Sequence, residues 1–377
     1  MRALDVDWVT CTASPECAGS ARRPYGRCLA HLDAGELDEV VDGLSPGSAI
    51  DLRATVVGAR LLERIVAATR GRPGRSRFDW ATFPEGVRLG ELVFGGDASF
   101  DHARFRHLAS FFGARFAGNV SFREASFGRE LSLHGVTVAG HATFDRMRVG
   151  GDALFGGTLF GRAASFENAD LQGFVTFDGA AFAGDANLRG CRFRRTVSLR
   201  KTRFGGLAGF SGTRFSAGAH LAPLSVGRHL TLAGAWAGRD LAVTVSRCPA
   251  DLRGLEVCGR LTVRLEGAEA DLEGAVLRGP ATVRGRAGAR LVSLRGLDAE
   301  ELELADLDLS ACVLAGLRHP GGLRLSGCTL PPAGHGRTRR GFGVFSGWSR
   351  MRHPGGGARM ERTGGRDEDR SPWTRNG

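Results

Sequence analysis

The sequence predicts an all-β solenoid, a chain wound into stacked β-coils, and two observations carry the prediction. First, apolar residues recur at an 11-residue period from Phe78: Leu89, Phe100, Phe111, Phe122, Leu133, Phe144, Phe155, Phe166, Phe177, Leu188, Leu199, Phe210, Leu221, Leu232 and Val243. A second row runs five residues later, from Phe83 through Phe94, Phe105, Phe116 and Phe127 to Phe215 and Val226. Second, the composition suits such a repeat, with 57 Gly for corners and 23 Phe for an interior against one Tyr.

An 11-residue period also suits a right-handed helical coiled coil. At about 100° per residue, a five-residue step would set the two Phe rows about 140° apart, too far for one seam. Each Gly would add a penalty of about 1 kcal/mol in a helix. A strand explains more, because the residue two before each large apolar one is small or apolar (Ala98, Ala103, Ala109, Ala114, Val120, Ala125). Period-2 alternation then puts both inside, with Ser99, Arg104, Asp170 and Asn187 outside. Gly113, Gly118, Gly135, Gly140, Gly173 and Gly179 follow two after the large residue, where a corner turns.

Segments such as Ala169-Asp170-Leu171-Gln172-Gly173, Ala186-Asn187-Leu188-Arg189-Gly190 and Ala250-Asp251-Leu252-Arg253-Gly254 resemble the A-D/N-L-x-x unit of pentapeptide-repeat proteins, of an actinobacterial type with an N-terminal Cys/His-containing cap. The resemblance covers residues 76–330 and implies a right-handed quadrilateral β-helix with four five-residue faces per coil. Here the faces alternate five and six residues. A three-sided coil would move the extra residue to a new face on every turn, whereas a four-sided coil, made of two such pairs of faces, keeps it in register. Four sides are therefore expected, over 11 or 12 coils.

Four segments follow. Residues 1–75 read as a cap with helices over 33–43 and 59–70 covering the first coil, because a solenoid end exposes its core and strand edges. Residues 76–248 are the regular β-helix. Residues 249–330 continue it less regularly, with insertions, so that less regular or broader coils are expected. Residues 331–377, rich in Pro, Gly and Arg, read as a disordered basic tail.

The formal charge of +11 is uneven, with 10 basic and 10 acidic residues over 1–75, 31 and 26 over 76–330, and 10 and 4 over 331–377. No stretch approaches the roughly 18 apolar residues of a membrane span. Asp5 and Asp7 lie where a signal peptide would be apolar, which predicts a cytoplasmic protein. Eight cysteines in that compartment read as core thiols or metal ligands rather than disulfides. Cys11, Cys17, Cys28 and His31, spaced C-x5-C-x10-C-x2-H, fit a closed tetrahedral zinc site of structural type, with unligated thiols in a small cap as the alternative. Four protein ligands leave no open position for catalysis.

No phosphate loop, dinucleotide fingerprint or nucleophile elbow is present, and the histidines are scattered, so no enzyme is expected. Between Asp185 and Asp240 there is no acidic residue, while Arg189, Arg192, Arg194, Arg195, Arg200, Lys201 and Arg203 lie there. Such a stripe suits nucleic acid or another anionic partner. Some pentapeptide-repeat proteins resemble duplex DNA and bind topoisomerases, a mimicry that needs an acidic surface and is disfavoured by this basic one. The expectation is a non-catalytic scaffold or protein-binding module, with its partner and oligomeric state open.

Overall fold

The computed structural model describes residues 6–221 and 225–331, so the expected tail lies outside the described residues apart from its first position. After a short 3-10 turn at Leu29–His31, the chain forms helix α1 (Ala34–Asp42), a strand at Ile50–Asp51 and helix α2 (Ala59–Ala68). It then winds through short strands, mostly of two residues, that stack into four parallel sheets of 12, 11, 12 and 7 strands.

The coil has four faces, and equivalent positions on successive coils, such as Asp97 and Asn119, are 22 residues apart. On the first face Val120 lies opposite Ala98 and Ala142, and on the second Ser126 lies opposite Arg104 and Arg148. Each strand presents one small inward residue, one outward residue and then the large inward one, as in Ala98, Ser99 and Phe100. Stacked coils therefore bring like side chains together. Phe78 and Phe100 stack at 4.7 Å, Phe100 and Phe122 at 4.7 Å, and Phe83 and Phe105 at 4.5 Å, which is the strand spacing. Several small inward residues that carry a polar atom donate to a carbonyl of the preceding coil: Thr158 to Leu133 at 2.7 Å, Cys191 to Phe166 at 2.9 Å and Thr213 to Leu188 at 2.7 Å.

The glycines two after the large residue perform two tasks. Leaving the first or third face the chain turns through a left-handed residue, such as Gly135 at φ +68 or Gly113 at φ +65; His102, Glu124 and Asn168 adopt the same conformation. Leaving the second or fourth face it carries the sixth residue, and there the coils nearly touch. A Cβ on Gly173 would lie 2.2 Å from the Gly151 carbonyl oxygen.

Helix α2 replaces strands in the first coil. Ile50 pairs with Ser76 on the first face and Val56 bridges Thr82 on the second. The helix then takes the third face, burying Leu62 and Ile65, before Gly71 and Pro73, on the fourth, accept hydrogen bonds from Val93 and Gly95 at 2.9 and 2.8 Å. Helix α1 starts in a capping box between Asp33 and Glu36.

After Val226 the coil departs from the expectation of broader turns. It shortens, so that equivalent positions such as Asp240 and Arg260 are 20 residues apart; Leu230 lies opposite Ala250 and Ala250 opposite Ala270. The fourth sheet ends at Ser225–Val226. The third face lengthens to six-residue strands, Leu241–Ser246, Leu261–Glu266 and Ala281–Arg286, which run straight through the former corner. One residue is then added where Glu269 pairs with Arg290 and Ala270 with Leu291, ahead of a bulge after Ala270.

Candidate functional site

Two constellations require placement: the Cys/His cluster and the arginines of 189–203. The ligand atoms of Cys11, Cys17, Cys28 and His31 all lie within 4.8 Å of one another. His31 Nδ1 is 3.4 Å from Cys11 Sγ and 3.5 Å from Cys28 Sγ, and Cys17 Sγ is 3.9 Å from Cys28 Sγ. A zinc tetrahedron with Zn–S near 2.3 Å and Zn–N near 2.0 Å sets its ligand atoms roughly 3.5–3.8 Å apart, so the donors fit a metal ion.

Local folding explains the convergence. Cys28 immediately precedes the 3-10 turn that carries His31, Cys11 donates its backbone N–H to Gly19 at 2.8 Å, and Gly19 leaves room that a Cβ, 2.9 Å from Cys28 Sγ, would fill. Burial raises the Cys11 thiol, but backbone N–H groups at Cys28 and Ala13 and the His31 ring outweigh it and bring it to about 7. Burial, with the neighbouring Cys17, pushes Cys28 up to about 12. Deprotonating all three thiols this close together would set like charges against one another, and a bound cation would relieve that repulsion.

The cluster is tied to the first coil by contacts that the sequence did not reveal. Ser20 donates to Asp51 at 2.9 Å, Arg53 donates twice to Asp51 at 2.9 and 2.7 Å, and the Arg53 guanidinium lies 4.5 Å over the Trp8 ring. These residues are scattered through the chain, and only the fold assembles them. Burial raises the Asp51 carboxyl, yet hydrogen bonds from Arg53 and Ser20 hold it below its ordinary value. Its stabilisation is present above the ordinary carboxylate pKa and disappears as pH falls through the lowered one. In urea titrations the stability gap between the native chain and an Asp51→Asn variant should be full at neutral pH and close as pH falls from about 5 to about 2.

The basic residues do not form one stripe. Arg189 lies at the turn after the first face, Arg192 faces outward on the second, Arg194 and Arg195 occupy the next corner, Arg200 and Lys201 lie at the turn after the third face, and Arg203 faces outward on the fourth. They wrap one coil as a belt. Arg192 shares its face with Arg214, whereas Arg194 pairs with Asp170 at 3.0 Å and Arg200 approaches Asp178 at 3.8 Å. Of the histidines, His102 stacks on Trp80 at 4.0 Å and lies 3.4 Å from Glu124.

A model of pentapeptide repeats matches residues 100–148 and 144–192. Residues 100–192 are pentapeptide repeats. Within the matched pentapeptide repeats lie four complete steps of the regular coil. Among curated proteins none matches this chain. A solved structure similar to it is HetL, a pentapeptide repeat protein involved in heterocyst differentiation regulation from the cyanobacterium Nostoc sp. strain PCC 7120, at 16% identity over 81% of this chain and 99% of that one. Its TM-score of 0.18 carries no argument; the matched repeats and the strand register do. Among the described residues no helix is long and apolar enough to cross a membrane.

Proposed function

We propose that this pentapeptide-repeat chain is a non-catalytic, cytoplasmic protein-binding or scaffold module that presents the third and fourth faces of its coil to a protein partner. The carrying observation is the placement of exposed apolar side chains. In the four-sided coils that follow the first, Phe112, Leu159 and Phe174, exposed at 51%, 48% and 37%, are the large apolar residues that reach solvent among the described residues, and all three lie on or beside those two faces. Half-buried Leu154 faces outward on the third face between them. Exposed apolar groups gathered on one side of a rigid surface suit a protein interface.

Photo-crosslinking from Leu159 should trap one partner in cell extract, and Phe112→Ser with Phe174→Ser should abolish that product while leaving circular dichroism unchanged. Crosslinking that persists in the double variant, or that arises only from the first and second faces, contradicts the proposal. Anion binding by the belt at 189–203 is the weaker reading, because two of its arginines already engage aspartates.

The second part of the proposal is a structural zinc held by Cys11, Cys17, Cys28 and His31. The fit of the donor atoms to a tetrahedron supports it. So do eight cysteines that are all free thiols, as a reducing compartment would leave them.

A further inference from the structure

The conversion from four faces to three creates a surface feature absent from the regular coils. Through Lys201 the chain turns between the third and fourth faces at a left-handed residue. In the shortened coils the equivalent positions lie inside the straight strands Leu241–Ser246, Leu261–Glu266 and Ala281–Arg286. Cutting that corner draws the outer surface inward below the end of the fourth sheet. A recess of about 600 Å³ opens there, with His220 of the last four-sided coils at its rim.

Its lining is strongly cationic and rich in hydroxyls. Thr262 pairs with Thr282 and Arg264 with Arg284 on neighbouring strands, so each pair is about 4.8 Å apart. Arg260 and Arg286 complete a group of four guanidinium groups around the recess. The one lining carboxylate, Glu266, accepts from Ser246 at 3.0 Å. Arg284 shares Glu303 at 3.0 Å, while among the described residues Arg260, Arg264 and Arg286 have no ion-pair partner. Apart from His220 at its rim, the described lining of the recess has no aromatic ring on which a base would stack. What it offers is planar donor forks and hydroxyls on a rigid sheet, the donor set that recognises phosphate oxygens.

We infer that the recess walled by Arg260, Arg264, Arg284 and Arg286 is a binding site for a small, multiply charged phosphate compound. The site lies downstream of the surface assigned to a protein partner and stands or falls independently of it. Free phosphate esters and a nucleic-acid backbone share this chemistry; the limited size of the recess, about 600 Å³, favours the small ligand.

Calorimetric titration of the full chain with inorganic pyrophosphate at low ionic strength tests the inference. Saturable binding should weaken about tenfold or more in an Arg264→Gln, Arg284→Gln variant. It should be unchanged in an Arg192→Gln, Arg214→Gln control on the second face. Both pairs are solvent-facing, and matching circular dichroism and melting curves establish that the variants fold; Thr262→Val with Thr282→Val provides a second, uncharged probe and should weaken binding less. Pyrophosphate binding that survives the Arg264 and Arg284 changes overturns the assignment. So does duplex DNA binding with no pyrophosphate binding, which would assign the charge to a polymer.

Discussion

Replacing Phe100 by Ala should cost about 3–5 kcal/mol of stability, the range for removing a fully enclosed aromatic ring from a core. Phe100 is 0% exposed. It stacks on Phe78 and Phe122 at 4.7 Å each and meets Phe111 edge-on at 5.4 Å, so its ring links three successive coils and two faces. The ladder leaves no flexible neighbour to fill the void, since each adjacent ring is itself held by the coil beyond it. Because repeat stability is a sum of local and nearest-neighbour contributions, the loss should begin locally. Hydrogen exchange should show protection falling first across 78–127, while 250–305 retain theirs. A uniform loss across all coils, or a change below about 1 kcal/mol in urea unfolding, contradicts this packing.

Removing the zinc proposed for the cap should have the second largest effect. With zinc bound, chelation or Cys28→Ser should release one zinc per chain and unfold the segment around residues 9–31, because a structural zinc supplies folding free energy outright. The loss should spread to the first coil through Ser20, Asp51 and Arg53, which join the cluster to the strand at Ile50–Asp51. Metal analysis of the purified chain, with thermal melts with and without chelator, checks this. A chain that purifies without metal and melts identically with chelator would leave Cys11, Cys17 and Cys28 as plain thiols.

The regular coil was legible because its signal is local and repeated. One small and one large inward residue recur with the same spacing, and the extra sixth residue fixes four faces once its register is followed. The two helices were legible from their spacing and fell within a residue or two of the expected bounds. The change to shortened coils was not, because Leu252, Val257 and Val263 read equally as a shortened turn or as one with an insertion. Only pairing shows that Leu241–Ser246 has absorbed a corner.

The same limit applied to the sites. The Cys/His cluster is confined to the short stretch from Cys11 to His31 and was visible in its spacing, as the proximity of its donor atoms in the structure bears out. The arginines of 189–203 looked like a stripe because sequence shows charge without direction, and a four-sided winding sends consecutive arginines to all four faces. The recess at 260–286 draws its residues from neighbouring coils, and its shape depends on the lost corner.

Up to Val226 one four-sided register sets what every face presents. Ser99 and Thr231 face outward on the same sheet, six coils apart. Spin labels attached through non-natural residues at these two positions, which spare the native cysteines, measure that separation directly by pulsed electron resonance. The expected backbone separation is about 29 Å, six strand spacings of about 4.8 Å, with a narrow distribution. A separation about twice as long, as coils closing after only two faces would give, or a broad distribution without a preferred distance, would contradict it.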